Sequence, residues 1–205
     1  SHEFMVATEV GEDEVIYCHS CGYVANVERA SFAKTKLAEE ELLPLEEVAT
    51  PGAKTIEEVA NFLKVPRSHT LKAVFYSADV ELAFVTIRGD LDVNEVKLKN
   101  ALKWSELRLA NDEEVKAAGL VAGSASAIGL KGMKIVADDS ITTGCNFVVG
   151  ANKNGYHLMN ANYPRDFKVD IITDIALAMP GYRCVKCNGE LKSKRGIEIG
   201  HVLKL

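Results

Sequence analysis

The chain has 205 residues, of which 47% are hydrophobic and 26% are charged, and its formal net charge is −5 at pH 7. A chain of this length can bury one full core with smaller pieces appended. Its acidic balance disfavours a broad nucleic-acid-binding surface, which would need a basic face. It has neither an apolar run long enough to span a membrane nor a basic leader followed by an apolar stretch, so we expect a globular cytoplasmic protein.

Two Cys-x-x-Cys pairs lie near the opposite ends of the chain. Gly22 follows the first pair and Asn188-Gly189 follows the second, and these residues allow the tight backbone that aims two thiolates at one ion. The spacing predicts one closed tetrahedral zinc site, if the chain between the pairs returns to its starting point. A disulfide and four unrelated thiols are the alternatives. The predicted ligands are Cys18, Cys21, Cys184 and Cys187.

The segment before the main domain carries helix and linker signals. Residues 1–5 resemble a cloning remnant and are set aside from the fold. Residues 27–43 are rich in Ala, Glu, Lys and Leu, which predicts a helix. Pro44 and Pro51 then indicate an extended linker, so we expect the main domain to start near Thr50.

From Thr50 onward, signals for short strands and short helices are mixed. Runs rich in β-branched and aromatic residues predict strands at residues 71–77, 80–87, 134–137, 146–149, 156–161 and 169–172. Caps and spacing predict helices from the Thr55/Glu58 capping box to Leu63, from Val93 to Leu102, and from a cap at Asp112 to Ala118. This mixture indicates an α/β fold, with a mixed sheet closed around one core and covered by short helices. The Gly-, Ala- and Ser-rich residues 119–132 are expected to form a flexible loop near a site.

The sequence lacks the common signatures of nucleophilic and nucleotide-binding enzymes, such as Gly-x-Ser-x-Gly, His-Glu-x-x-His and Gly-x-Gly-x-x-Gly. Three residues remain as candidates. Lys72 interrupts an apolar strand and points either to an open sheet face or into a polar pocket. Asp138 ends a strand, where a carboxylate commonly caps a turn, although in a pocket it could bind an ammonium group. His157 follows a turn, in a setting typical of a pocket rim, and a structural histidine is the alternative.

A succession of motifs links this chain to one family. The motifs are Lys54-Thr55-Ile56-Glu57-Glu58, Thr70-Leu71-Lys72, Arg88-Gly89-Asp90, Asn94-Glu95-Val96-Lys97-Leu98-Lys99-Asn100, Asn146-Phe147-Val148-Val149-Gly150-Ala151-Asn152 and Tyr156-His157. In this order they resemble the editing insertion domain of bacterial-type prolyl-tRNA synthetases, of the YbaK-like aminoacyl-tRNA deacylase superfamily. The flanks look like the segments that leave the class II synthetase core and return to it. The resemblance implies an N-terminal neck and helix at residues 6–49, an editing domain at 50–178, and a C-terminal neck and returning strand at 179–205.

The resemblance implies hydrolysis of alanine wrongly esterified to the proline tRNA, a second sieve for an amino acid smaller than proline. It implies a catalytic role for Lys72, which would orient the terminal nucleotide or its phosphate. Asp138 would bind the α-amino group or form the pocket wall, and His157 would define the alanine pocket. Gly150 and Asn152 would bind substrate.

The resemblance also implies partners and cofactors. The partners would be the acceptor end of tRNA(Pro) and the rest of a synthetase chain that forms a homodimer. Zinc would be structural, no cofactor would serve catalysis, and ATP would bind only to the absent core. The pocket loop of the family usually contains a Gly-Pro step, whereas this chain has Ser124-Ala125-Ser126-Ala127-Ile128-Gly129. A free-standing trans-editing deacylase and a non-catalytic, zinc-pinned insertion for tRNA docking are the alternatives.

Overall fold

A computed structural model of the chain describes residues 2–78, 81–121 and 123–202. They form two compact units. The two chain ends, up to Lys34 and from Leu177 onward, make one unit, and Thr35–Ala176 makes the other. The predicted strand at residues 80–87 starts at Val80, which lies outside the described residues.

Short strands dominate both units. The strands are β1 (His2–Ala7), β2 (Asp13–Cys18), β3 (Val24–Asn26), β4 (Phe32–Ala33), β5 (Glu46–Ala49), β6 (Leu71–Ala78), β7 (Glu81–Arg88), β8 (Arg108–Leu109), β9 (Lys134–Asp138), β10 (Phe147–Gly150), β11 (Tyr156–Ala161), β12 (Ile171–Thr173), β13 (Arg183–Cys184) and β14 (Leu191–Val202). The α-helices are α1 (Ile56–Leu63), α2 (Glu95–Leu102) and α3 (Asp112–Ala117).

The chain-end unit contains an antiparallel sheet in the order β1-β14-β2-β3 and a ribbon of β4 with β13. Strand β1 lies within the first seven residues and overlaps residues 1–5, which resemble a cloning remnant. In this structure the segment pairs with β14 along six residues, from His2 opposite Val202 to Ala7 opposite Gly196. The C-terminal region for which the resemblance predicted a strand contains β14.

The larger unit contains a five-stranded sheet, β12-β9-β7-β6-β8, and a three-stranded sheet, β10-β11-β5. Strand β9 runs parallel to β7 and β12, while the other pairs are antiparallel, so the larger sheet is mixed as predicted. Both sheets contribute to one core, in which Phe75 and Phe84 cluster with Phe147 and Val149. Helix α2 covers the opposite face of the larger sheet. Its Leu98 and Leu102 pack with Tyr76 of β6 and Val85 of β7. The predicted α/β fold is confirmed.

The helix starts are fixed by local side chains. Thr55 and Glu58 form the predicted capping box of α1. Asn94 caps α2 by accepting bonds from two amides of its first turn. In α3, Asn111 forms a capping box with Glu114, so Asp112 is the first helical residue and not the predicted cap. None of the helices in the described part of the chain is long and apolar enough to cross a membrane.

The helix predicted at residues 27–43 is wrong, and so is the helix assigned to the N-terminal neck at 6–49. Residues 34–45 have no regular structure. Their backbone bonds to a distant loop, because Asn146 donates to the Glu41 carbonyl at 2.9 Å and accepts from the Leu43 amide at 3.1 Å. The Leu37 amide also donates to the Thr143 carbonyl at 2.7 Å. These tertiary hydrogen bonds replace the bonds that a helix would have made within the segment.

Candidate functional site

A small cleft lies beside the N-terminus of α1 in the larger unit. Its walls include Thr55, the start of β6, the loop residues Gly123 and Ala125, and His157 of β11. The volume of the cleft is about 80 Å³. The chain-end unit has a wider groove, about 540 Å³, that is lined by residues other than the predicted site residues.

Lys72 lines the cleft from strand β6. Its Nζ atom lies 2.8 Å from Oδ1 of Asp92, and the side chains of Lys72 and Asp92 are 19% and 68% exposed. An ion pair with a partner this exposed contributes about 0–1 kcal/mol. Asp92 can therefore be displaced at little cost, and the ammonium group of Lys72 is available to an anion at the edge of the cleft.

His157 lines the same cleft and is buried, with 5% of its surface exposed. Its Nδ1 atom lies 2.6 Å from the hydroxyl oxygen of Thr50, which is fully buried. With Nδ1 engaged, Nε2 is the ring nitrogen left for a ligand. Burial lowers the pKa of His157 below its ordinary value, so the neutral ring predominates at pH 7. Lys72 and His157, 85 positions apart in the sequence, thus share one cleft.

Gly150 lines the cleft and lets the pocket loop approach closely. A Cβ atom at this position would overlap the backbone carbonyl group of Ser124 and lie 2.5 Å from the carbonyl oxygen of Ala125. Only glycine leaves that space free, so Gly150 determines how near the loop stands to β10. Gly150 thus has a structural role, that of allowing the close approach of the loop, and its role in substrate binding stays a prediction.

Asn152 stands behind the loop and holds it in place. Its backbone, with φ 54°, is left-handed, and its amide donates to the Ser124 carbonyl at 2.7 Å. Its side-chain oxygen accepts from the Ser126 amide at 2.8 Å, and its side-chain nitrogen donates to the Ile128 carbonyl at 2.9 Å. The loop that lacks the usual proline is thus fixed by hydrogen bonds from one asparagine. Asn152 is not among the described residues that line the cleft.

Asp138, like Asn152, is not among the described residues that line this cleft. It is fully buried at the end of β9. One carboxylate oxygen accepts from the Ser140 amide and the other from the Ile175 amide, both at 2.9 Å. These contacts fit the cap, one of the two interpretations that the sequence offered, and they tie the strand end to the chain beyond β12.

The four predicted zinc ligands meet in the chain-end unit. Their sulfur atoms all lie within 4.8 Å of one another, and the four residues are free cysteines. Two contacts join the pairs, since Cys18 Sγ lies 3.5 Å from Cys187 Sγ and Cys21 Sγ lies 3.6 Å from Cys184 Sγ. Four thiols at this separation are close enough to hold one metal ion.

The two Cys-x-x-Cys turns have the same backbone bonding. In each turn the amide of the first cysteine donates to the carbonyl five residues later, at 2.8 Å for Cys18 and 2.7 Å for Cys184. The carbonyl of the first cysteine accepts from the amide four residues later, that of Gly22 or Asn188. Both of these residues are left-handed, with φ 69° and 60°. The donor set and its matched turns therefore suit a tetrahedral thiolate site.

Sequence reasoning missed two partners of the site residues, Thr50 and Asp92. In the sequence Thr50 marks only the expected start of the main domain, and it lies 107 positions from His157. The pairing of β5 with β11, in which Ala49 faces Tyr156, brings the two residues together. No local signal reports such a register. Asp92 lies two residues after the Arg88-Gly89-Asp90 motif, and nothing in the local sequence links it to Lys72, 20 positions earlier.

Comparisons with known proteins agree on one family. Residues 50–166 match the model of the aminoacyl-tRNA editing domain. Proline--tRNA ligase of Dehalococcoides mccartyi strain BAV1 is 60% identical over 205 residues, covering 100% of this chain and 36% of the relative. The Syntrophus aciditrophicus enzyme of the same name is 44% identical over 209 residues, with the same coverage. The chain thus spans about a third of the length of these relatives.

Solved structures with the same fold are more distant in sequence. A hypothetical protein aligns with a TM-score of 0.57 at 20% identity, over 65% of this chain and 92% of its own. A proposed trans-editing enzyme for prolyl-tRNA synthetase aligns with a TM-score of 0.56 at 15% identity, over 65% of this chain and 87% of its own. At these identities the likeness concerns the fold.

Proposed function

Because the chain belongs to the aminoacyl-tRNA editing domain family, we propose that it hydrolyses alanine wrongly esterified to the proline tRNA. It does so as the insertion domain of a longer prolyl-tRNA synthetase. The match to proline--tRNA ligases supports this setting, because it runs through both flanks as well as through residues 50–166. A free-standing deacylase would have no need of those flanks.

The observation that carries the proposal is the small cleft shared by Lys72 and His157. A volume of about 80 Å³ suits the methyl side chain of alanine. A larger amino acid would have to push against the loop that Asn152 holds and Gly150 supports. Rejection by size is how a second sieve spares the correct product.

The reaction is the cleavage of an ester by water. The oxygen of water adds to the carbonyl carbon, whose oxygen takes up negative charge. The bond from that carbon to the ribose oxygen then breaks, and the ribose oxygen leaves as a hydroxyl with a proton that comes from the water. Positioning can supply much of the rate, since held reactants avoid the entropy cost of meeting. Lys72 is suited to hold the terminal nucleotide through a phosphate, because Asp92 competes only weakly for its ammonium group.

The remaining partners follow from the proposed reaction. The substrate is the acceptor end of tRNA(Pro), and most of the tRNA affinity comes from other parts of the synthetase, which suits a net charge of −5. ATP serves only the synthetase core, and the editing step uses no cofactor. The domain works in the cytoplasm, where its substrate is made, and a homodimeric full-length enzyme stays a prediction.

We also propose that Cys18, Cys21, Cys184 and Cys187 hold a structural zinc ion. Four thiolates with matched turns are the donor set that zinc takes in closed sites. Such an ion would cross-link the two ends of the chain and would take no part in catalysis. Each cysteine would bind as the thiolate, so binding would release protons.

A deacylation assay on the full-length protein that carries this chain tests the proposed function. Alanyl-tRNA(Pro) and prolyl-tRNA(Pro) are the two substrates, and we expect rapid loss of alanine and retention of proline. Equal stability of both esters would favour the non-catalytic insertion. Cleavage of alanyl-tRNA only by the separated domain, and not by the full-length protein, would favour action in trans.

A further inference from the structure

The contact between Thr50 and His157 determines where the histidine carries its proton. The hydroxyl oxygen of Thr50 lies 2.6 Å from Nδ1, and both side chains are buried. The backbone groups of Thr50 are used elsewhere, since its amide donates to the Gly155 carbonyl and its carbonyl accepts from the Ala53 amide. The hydroxyl group is therefore the part of Thr50 that meets the imidazole.

The direction of this hydrogen bond follows from the requirement that the buried hydroxyl hydrogen of Thr50 has an acceptor. A hydroxyl has one hydrogen to donate, whereas the neutral imidazole has one donor and one acceptor nitrogen. In the described part of the chain, the Thr50 hydroxyl has no acceptor other than His157 Nδ1. If Nδ1 carried the hydrogen instead, the hydroxyl hydrogen would be buried without an acceptor, and a buried donor left unpaired loses its full hydration energy. Thr50 therefore donates, and the imidazole hydrogen resides on Nε2.

We propose that Thr50 is a positioning residue which fixes His157 as the Nε2–H tautomer, so that the cleft presents a hydrogen-bond donor and not a general base. This inference rests on the proposed editing function. In that function, the Nε2–H group is suited to the carbonyl oxygen of the aminoacyl ester, which becomes negatively charged when water adds. A fixed donor aimed at developing charge stabilises the transition state more than the ground state.

The neutral state of the ring agrees with this assignment. Burial lowers the pKa of His157, so the ring is uncharged at pH 7 and one nitrogen lacks a hydrogen. With Nδ1 as the acceptor of the Thr50 bond, the ring has no free lone pair with which to take a proton from water. His157 can then polarise the ester while a different group, or the substrate itself, assists the attacking water.

The experiment combines nitrogen NMR with deacylation kinetics. In the ¹⁵N-labelled 205-residue chain, the two nitrogen shifts of His157 should report a hydrogen on Nε2 and none on Nδ1. Thr50→Val keeps the shape of the side chain but removes the donor, so the shifts should move towards a mixture of tautomers. In the full-length protein, the kcat of Thr50→Val for alanyl-tRNA should fall about tenfold with KM little changed, the effect of one hydrogen bond of ordinary strength.

Thr50→Ser is the matched control, because it restores the hydroxyl without the methyl group. It should recover both the nitrogen shifts and kcat. A hydrogen on Nδ1 in the wild-type chain would overturn the inference, whether or not Thr50→Val folds. So would full activity of a folded Thr50→Val protein. If the wild-type protein does not cleave alanyl-tRNA, the proposed function fails and the donor role fails with it, while the nitrogen shifts still decide the tautomer.

Discussion

The carbonyl group of Ser124 occupies the position that a Cβ atom on residue 150 would take, and Gly150 is the residue that leaves it free. We expect Gly150→Ala to push the pocket loop away from β10 and to destabilise the larger unit by about 1–3 kcal/mol, as overpacked positions do. Urea unfolding followed by fluorescence measures the change. Gly200→Ala is the control, because the nearest atom to a Cβ there is 3.8 Å away. Equal stability of the two variants would contradict the close approach at Gly150.

The second prediction concerns the hydrogen bonds of Asn152 to the pocket loop. Asn152→Gly keeps the left-handed backbone but removes the bonds to Ser126 and Ile128. A looser loop should reject proline less well, so the ratio of prolyl-tRNA to alanyl-tRNA cleavage should rise about tenfold, the effect of about 1.4 kcal/mol. Deacylation of both esters by the full-length protein measures the ratio. An unchanged ratio would mean that the loop is held by other contacts.

The third prediction is the metal content of the chain. Protein purified without chelator should carry about one equivalent of zinc, and Cys18→Ser should carry far less, because a closed site needs all of its ligands. Elemental analysis measures this. Cys145→Ser is the control, since Cys145 is outside the cluster of four, and it should keep its zinc. The absence of zinc from the wild-type chain would refute the site.

Losing the metal should affect the chain-end unit and leave the larger unit folded. Structural zinc stabilises the segment that it binds, and the larger unit has its own core around Phe84 and Phe147. Amide hydrogen exchange of Cys18→Ser should therefore show faster exchange in β2 and β14 and unchanged protection in β7 and β10. Loss of protection throughout would indicate that the two units unfold together.

Much of the fold could be predicted because its signals are local. Thr55 and Glu58 indicate the start of α1 within four residues, and runs rich in β-branched and aromatic residues indicate β6 and β7. The helix expected at residues 27–43 fails for the opposite reason. Its composition favours a helix, but Asn146 and Thr143, more than a hundred positions away, take the backbone bonds of Glu41, Leu43 and Leu37. Composition cannot report such a partner.

In the candidate site, too, the features with local sequence signals could be predicted and those that depend on distant residues could not. The positions of Lys72 and His157 could be inferred from motifs, and the spacing of the cysteines indicated their meeting point. Whether Asp138 was a cap or a pocket residue depended on the Ile175 amide, 37 positions away, and so could not be read from the strand end alone. The bond between Thr50 and His157 depends on the register of two strands. A shift of one residue would have separated them.

A further prediction concerns His157 as a wall of the cleft. His157→Ala removes the buried ring and enlarges a cleft of about 80 Å³. Prolyl-tRNA should then be cleaved measurably, because a sieve based on size fails when its wall is cut back. Alanyl-tRNA cleavage should fall at least about tenfold through loss of the Nε2–H donor. Continued rejection of prolyl-tRNA would show that another residue sets the size limit.

The last prediction separates the role of Lys72 in binding from its role in the fold. Lys72→Ala should lower alanyl-tRNA cleavage by about ten- to a hundredfold, since a hydrogen bond to a charged group contributes about 1.5–3 kcal/mol. The stability of the variant should change little, because the side chain of Asp92, the partner of Lys72 in the ion pair, is largely exposed. Deacylation by the full-length protein and thermal unfolding of the chain measure the two effects.

Two variants make this test specific. Lys153 also pairs with a carboxylate, that of Glu47 at 3.0 Å, but it is not among the described residues that line the cleft, so Lys153→Ala should keep the wild-type rate. Asp92→Asn releases Lys72 from its partner and should preserve or improve substrate binding, seen as an equal or lower KM. If Lys72 served only to hold the turn through Asp92, Asp92→Asn would instead lose as much activity as Lys72→Ala. Full cleavage by Lys72→Ala would remove Lys72 from the site.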